Sequence, residues 1–280
     1  MTDHQAISRQ HRADRFLALH RPGAPLLLPN PWDIGSLKLL EHAGFEAVAT
    51  TSSGFAATLA RLDGSVTEEE ALVHAATMAA TTALPVNADL ENGFSDDPAG
   101  VAATVAAAVE AGVAGCSIED FTGDPADPIY DPGLARERVD AAAEAAHGGP
   151  TRIVLTARAE NHLHGRDALD DTILRLAAYA EVGADVVYAP GLADADEIRR
   201  VVGSVGCPVN VLALPSGPTV ADLAEAGVAR ISVGGWFSLA AIGAVTEMAR
   251  EFRTAGVIGL PSFLQTGREA RDAAFTGERP

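Results

Sequence analysis

Eight short β-rich runs recur along this chain at roughly thirty-residue spacing, and an Ala-rich helical stretch follows most of them. They are PLLLPN (25–30), FEAVATT (45–51), LPVNADL (84–90), GCSIED (115–120), RIVLTAR (152–158), ADVVYAP (184–190), CPVNVLA (207–213) and RISVGG (230–235). Strands that alternate with helices argue for βα units around a parallel sheet. Eight of them suit a closed parallel (β/α)8 barrel, the TIM barrel of the α/β class, better than an open sheet. A small internal repeat fixes the polarity of that barrel. EHAGFEAV, EAGVAGCS, EVGADVVY and EAGVARIS each set a Gly between a helix end and the next strand, where a left-handed C-cap is expected. These turns mark the amino-terminal end of the barrel, so function is expected at the carboxyl ends of the strands.

The helix starts are legible too. Asp33 is expected to open the helix after the first strand, Thr67 and Glu70 form a capping box, and Asp167 is expected to open the helix after the fifth strand. One domain spans 1–280, with a helical extension over 1–23 (helix at about 5–20) and a helix of about 237–255 after the eighth strand. Residues 256–280 then add an amphipathic helix, within 258–274, that the barrel does not need and that is expected to pack on a neighbouring subunit.

Composition excludes several partners and mechanisms. A net charge of −18 repels a phosphate backbone and an anionic lipid surface, so neither nucleic acid nor membrane is an expected partner. No apolar run approaches the roughly 18 residues needed to span a bilayer, and the polar start has no hydrophobic signal core, so a cytoplasmic location is expected. Two cysteines, Cys116 and Cys207, each inside an apolar run, rule out a disulfide framework or a cysteine-rich zinc site. The single lysine, Lys38, lies mid-helix, which disfavours Schiff-base and pyridoxal chemistry.

The strand ends collect a polar set: Ser52, Ser53 and Gly54 after the second strand, Asp89 and Glu91 after the third, Glu119 and Asp120 ending the fourth, and Arg158 ending the fifth. Asp89 and Glu119, on adjacent strands, offer oxygen ligands suited to Mg2+, and Arg158 could hold a substrate carboxylate through a bidentate contact. Trp32, after the first strand, and Asn210, in the seventh, complete the expected substrate-binding set with Ser53, Gly54 and Arg158.

The order PNPWDIGSLKLLEHAGFEAVATTSSGFA, PVNADLENGF, GCSIED and LTARAEN resembles the motif series of the isocitrate lyase and phosphoenolpyruvate mutase superfamily, over about residues 24–255. The resemblance implies backbone donors at Ser53 and Gly54 for an enolate or carboxylate oxygen, a catalytic Asp63 in ARLDGS, and the family's D-x-D pair at Asn87 and Asp89. It also implies a metal-associated Glu119, a substrate-binding Arg158, and Mg2+ or Mn2+ as cofactor. Family members exchange their last barrel helix, which implies a homo-oligomer, dimer or tetramer, with 256–280 as the swapped segment.

The chain departs from the family at the loop after the fourth strand, where FTGDPADPIYDPG (121–133) replaces the K-K-C-G-H of the lyases and carries no Lys, Cys or His. Isocitrate or methylisocitrate cleavage is therefore expected to be absent or very slow. Replacement proton carriers are Tyr130, Asp124, Asp127 and Asp131 in that loop, and His162 or His164 in AENHLHG. The expected activity is Mg2+-dependent cleavage of a C–C bond in a small 2-hydroxy- or 2-oxo-carboxylate through an enolate, by a lyase or hydrolase. The alternatives are phosphoryl or phosphonate chemistry of the mutase kind, suggested by Gly234 and Gly235 before a helix, and a carboxylate-binding barrel without catalysis.

Overall fold

The computed structural model describes residues 9–256 and 263–276. Residues 5–8 of the expected N-terminal helix and 258–262 of the expected C-terminal one lie outside the described residues. The chain runs α1 (Arg9–Ala18), β1 (Leu26–Leu28), α2 (Ile34–His42), β2 (Val48–Ala49), α3 (Ser52–Thr58), α4 (Glu68–Thr81), β3 (Val86–Asp89), α5 (Pro98–Ala111) and β4 (Gly115–Glu119). It continues through α6 (Pro132–His147), β5 (Val154–Arg158), α7 (Leu169–Glu181), β6 (Val186–Tyr188), α8 (Ala195–Ser204), β7 (Val209–Leu212), α9 (Val220–Glu225), β8 (Arg230–Ser232), α10 (Trp236–Ala255) and α11 (Phe263–Thr276). Each β-rich run of the sequence contains one strand.

All strand pairs are parallel, in the order β1-β8-β7-β6-β5-β4-β3-β2. The seam between β1 and β2 is bridged by Ala49 N–H donating to the Pro29 carbonyl at 3.0 Å and by Asn30 Nδ2 donating to the Thr50 carbonyl at 3.0 Å. The glycines of the four repeats, Gly44, Gly112, Gly183 and Gly227, all have left-handed backbones (φ 87°, 84°, 111° and 85°), the conformation an L side chain resists. Asp33 caps α2, and Thr67 with Glu70 forms the capping box of α4. Asp167 does not cap α7: the helix begins at Leu169 after an uncapped Ala168, and Asp170 and Asp171 place negative charge in its first turn instead.

Alternation along the strands sorts side chains into two cores. Cys116, Ile118, Leu155, Ala157, Val187, Val211 and Ile231 face the helices. Leu26, Leu28, Ala47, Ala49, Val154 and Val186 fill the lower lumen, which Phe16 of α1 plugs from below. His20, buried beside Phe16 at a centroid distance of 4.8 Å, completes the plug. The upper lumen is polar.

α11 lies along α2 of its own chain, with the Phe275 ring beside Gly35. α10 carries outward apolar side chains, Leu239 (57% exposed), Val245 (67%) and Phe252 (58%), while Leu27 on the outer side of β1 is 41% exposed.

His74 of α4 stacks on Phe55 at 3.9 Å, and its buried Nε2 has no hydrogen-bond partner among the described residues. Burial holds its pKa down at about 4, so the folded state resists a proton that the unfolded chain accepts. Stability tied to this ring is complete above about pH 6.5 and is lost as pH falls toward 4. His74→Phe, which keeps the stack, is expected to flatten the pH dependence of unfolding free energy in that window by up to about 1.4 kcal/mol per pH unit. Denaturant melts of both proteins at pH 4.5–7.5 check this.

Candidate active site

The carboxyl ends of the strands enclose a cavity of about 470 Å³ lined by, among others, Ser53, Asp63, Asp89, Glu119, Arg158 and His164. Arg158, the last residue of β5, stands at its centre and pairs with three carboxylates: Asp89 of β3 at 3.2 Å, Glu119 of β4 at 3.0 Å, and Glu160 of the loop after β5 at 2.8 Å. The strand register makes this possible. Glu119 is the direct neighbour of Arg158 across β4 and β5, and Asp89 is one strand further on. Both therefore point into the lumen at the same end.

One guanidinium cannot neutralise so many acids. Burial raises Glu119 well above the usual carboxylate range, with Glu160, Asp89 and Glu91 adding to the effect and only Arg158 opposing it. Glu91 is pushed up to about 7 by burial and then by Asp89 and Asp63. Asp63, brought in by the loop before α4, is raised by burial. Arg158 stays charged, since three carboxylates face it despite its burial. Asp89 is held in place by the Ser52 N–H, 2.9 Å from its Oδ2, and its own N–H donates to Thr50 Oγ1 at 2.9 Å.

Behind this set lies a second buried group. Asp120 accepts from Tyr179 OH at 2.7 Å, Arg175 Nη1 at 3.2 Å and the Glu160 N–H at 2.8 Å, which fixes the loop that carries Glu160. The loop after β4 folds back on itself through a Phe121–Ile129 bridge. Its Tyr130 is buried away from the cavity, bonded to Asp96 and lying under the Arg138 guanidinium at 3.9 Å. Asp124, Asp127 and Asp131 do not line the cavity, and His162 faces Thr172 at 3.3 Å. His164 does line it, stacked on Phe121 at 4.0 Å, and burial lowers its pKa, so the ring is neutral at pH 7.

Asn87 lines the same cavity one layer below Asp89, its Oδ1 buried close to Gly115 and without a hydrogen-bond partner among the described residues. Asp89 and Glu91 form a carboxylate pair at the mouth, and Glu91 has a left-handed backbone (φ 50°). Gly54 is packed against Thr51, Trp32 and Ser238, and its N–H points to Thr51 Oγ1 at 3.4 Å. Neither Gly54 nor Trp32 forms the cavity wall, whereas Ser53 and Asn210 do. Sequence reasoning collected Glu91 at the strand ends but left it out of the metal set. It missed Glu160 and Tyr188, although both continue the inward alternation of β5 and β6. The thiols stand outside the chemistry: burial pushes Cys116 up to about 12 and Cys207 to about 11, and neither lines the cavity.

No three acidic, histidine or cysteine side chains among the described residues converge as a ready metal cage. Asp63, Asp89, Glu91 and Glu119 nevertheless surround one cavity with more negative charge than Arg158 balances. All donors are oxygens, and burial with Asp89 and Asp63 pushes Glu91 up to about 7. That donor set fits Mg2+ or Mn2+ held largely through water.

A family model described as phosphoenolpyruvate phosphomutase matches residues 16–253. A Burkholderia cenocepacia J2315 protein described as a lyase or mutase superposes with a TM-score of 0.90 at 47% identity, covering 96% of this chain and 97% of that one. The 2-methylisocitrate lyase of Halalkalibacterium halodurans is 28% identical over 215 residues, 73% of this chain and 68% of that protein. Phosphonopyruvate hydrolase, crystallised with oxalate and Mg2+, superposes with a TM-score of 0.78 at 25% identity, covering 95% and 99% of the two chains.

Arg158→Met should leave Asp89, Glu119 and Glu160 facing one another without a cation, at a cost of about 3–5 kcal/mol near pH 8. Carboxylates with raised pKa values are tolerated when protonated. The penalty is therefore largest above their folded-state pKa values and shrinks as pH falls toward 5. Guanidinium unfolding of the metal-free variant and wild type at pH 5 and 8 measures the difference, and a penalty that does not depend on pH would contradict the charge argument.

Proposed function

We propose, starting from the fact that the chain belongs to the phosphoenolpyruvate phosphomutase family and so to the isocitrate lyase and phosphoenolpyruvate mutase superfamily of enzymes, that it cleaves a C–C bond in a small 2-hydroxy- or 2-oxo-carboxylate through an enolate. The observation that carries this reading is the convergence of Asp63, Asp89, Glu91 and Glu119 around Arg158 on one open cavity.

In this reading Asp89, Glu91, Glu119 and Asp63 hold Mg2+ or Mn2+, mostly through water. When bound, the ion would supply Lewis-acid stabilisation of the negative oxygen that develops on the substrate. Arg158 has two N–H groups beyond its three ion pairs, and these meet a substrate carboxylate. Ser53 turns its hydroxyl to the same space, 3.2 Å from Thr51 Oγ1. Since neither cysteine nor Tyr130 reaches the cavity, His164 is assigned the proton transfer. Its ring is neutral at pH 7, so it can take a proton at a ring nitrogen and return it. Lyase and hydrolase outcomes share this machinery and differ in what captures the fragment.

Turnover in a screen of small 2-hydroxy- and 2-oxo-acids is expected with Mg2+ or Mn2+ and not with excess chelator. Glu91→Gln should raise the Mg2+ concentration for half-maximal rate about 10–100-fold. His164→Gln should lower kcat by about 100-fold or more while Mg2+-dependent oxalate binding persists. Equal turnover in chelator and in millimolar Mg2+ would sink the metal reading.

The outward apolar face of α10 is assigned to a neighbouring copy of the chain, which makes the protein a dimer or tetramer at micromolar concentration. Light scattering should show this, and Leu239→Glu with Val245→Glu should shift the protein to monomer. A wild-type monomer would contradict the assignment.

A further inference from the structure

At the floor of the same cavity sits a second arginine. Arg230 begins β8, points into the lumen and is 3% exposed, yet no carboxylate among the described residues pairs with it. Its Nε donates to Asn210 Oδ1 at 3.0 Å, and its Nη1 donates to His20 Nε2 at 3.2 Å. His20 can accept because its Nδ1 faces the Phe16 carbonyl at 2.8 Å, and burial followed by Arg230 holds its pKa at about 3. His20 is therefore neutral. The other neighbours are neutral as well: Asn210 donates from Nδ2 to Ser232 Oγ at 3.0 Å, and burial pushes the Tyr188 phenol up to about 12.

A buried guanidinium with no anion is costly to maintain, by several kcal/mol, unless something compensates it. Burial, and after it the like charge of Arg158, pulls Arg230 down to about 9 against the opposing effect of Tyr188, so it is still charged at neutral pH. Nη2 has no protein acceptor among the described residues, and the residue lines the cavity. A planar donor edge, free, charged and facing open space, has the form of a carboxylate receptor. Register places it in line with the reacting end: Arg158, Tyr188, Asn210 and Arg230 are successive direct neighbours across β5, β6, β7 and β8.

We propose that Arg230, with Asn210, Tyr188 and Ser232, forms an anion subsite at the cavity floor, separate from the metal end, which takes a carboxylate of the substrate or a free anion of similar size. As a statement about substrate it rests on the function proposed above, and it selects acids with a second anionic group remote from the reacting one.

The test uses the full chain in two solutions that separate the ends of the cavity. Oxalate with Mg2+ reads the metal end, and succinate in EDTA reads the floor, both by calorimetry. Arg230→Met is expected to weaken succinate at least tenfold while oxalate changes less than about twofold. Loss of oxalate binding by the wild type would count against the metal reading and leave the succinate arm readable. An unchanged succinate affinity in the variant, or equal loss of both ligands, overturns the subsite. Succinate binding much more tightly than acetate or chloride identifies a substrate carboxylate as the occupant. Equal affinities, all dependent on Arg230, identify a free anion. Because Arg230→Met also removes bonds to Asn210 and His20, a bromide soak of wild-type crystals gives an independent reading. An anomalous peak at Nη2 supports the subsite, and its absence overturns it.

Discussion

The register of a parallel barrel sets where charge can stand in this protein. Each inward residue has a fixed neighbour on the next strand, so Glu119, Arg158, Tyr188, Asn210 and Arg230 form one continuous row, a single residue per strand. Strands that tilt against the barrel axis carry such a row from the mouth toward the floor. The polar row thus links two guanidiniums of opposite circumstance, one crowded by carboxylates and the other with none. Shifting any strand by one residue would turn these side chains into the apolar layer under the helices, where no partner awaits them.

Much of this arrangement is readable in the sequence, for local reasons. Strands with β-branched cores, glycines at helix ends and hydroxyl or carboxylate caps act over a few residues, so the eight strands and the capping of α2 and α4 could be anticipated. Parity places Asp89, Glu119 and Arg158 on the inner side without knowledge of the fold. It does not decide between Asn87 and Glu91, because both share parity with Asp89. The backbone decides: β3 ends at Asp89, and the left-handed turn at Glu91 brings its carboxylate back over the mouth. Gly54 and Trp32 show what packing adds to a motif. A Ser-Gly pair suggests two free donors, but the Gly54 N–H already faces Thr51, and the absence of a side chain there lets Trp32 and Ser238 close in. Long-range packing, which no motif encodes, also sets α11 on α2.

Asp120 shows how a second layer can matter as much as the first. Its carboxylate is buried among Arg175, Tyr179 and the Glu160 N–H, and none of these lines the reacting end except Glu160. Because Glu160 holds Arg158 Nε, the orientation of the central guanidinium depends on α7 packing beneath it. A hydrogen-bonded chain of this kind orients one side chain in a way that solvent cannot.

The charge balance of the mouth also constrains the chemistry. Two like charges 4 Å apart at an effective dielectric constant of 20 repel by about 4 kcal/mol. An anionic substrate approaching Asp63, Asp89, Glu91, Glu119 and Glu160 meets several such terms, against one guanidinium already engaged by three of them. Protonation of Glu91 near pH 7 relieves part of the repulsion and a divalent cation relieves more, whereas Arg158 alone leaves the mouth hostile to the carboxylates that the family's enzymes handle. In the function proposed above this acidity has a use, since it would hold a cation, and the substrate would be drawn to that cation and not to the protein's own carboxylates.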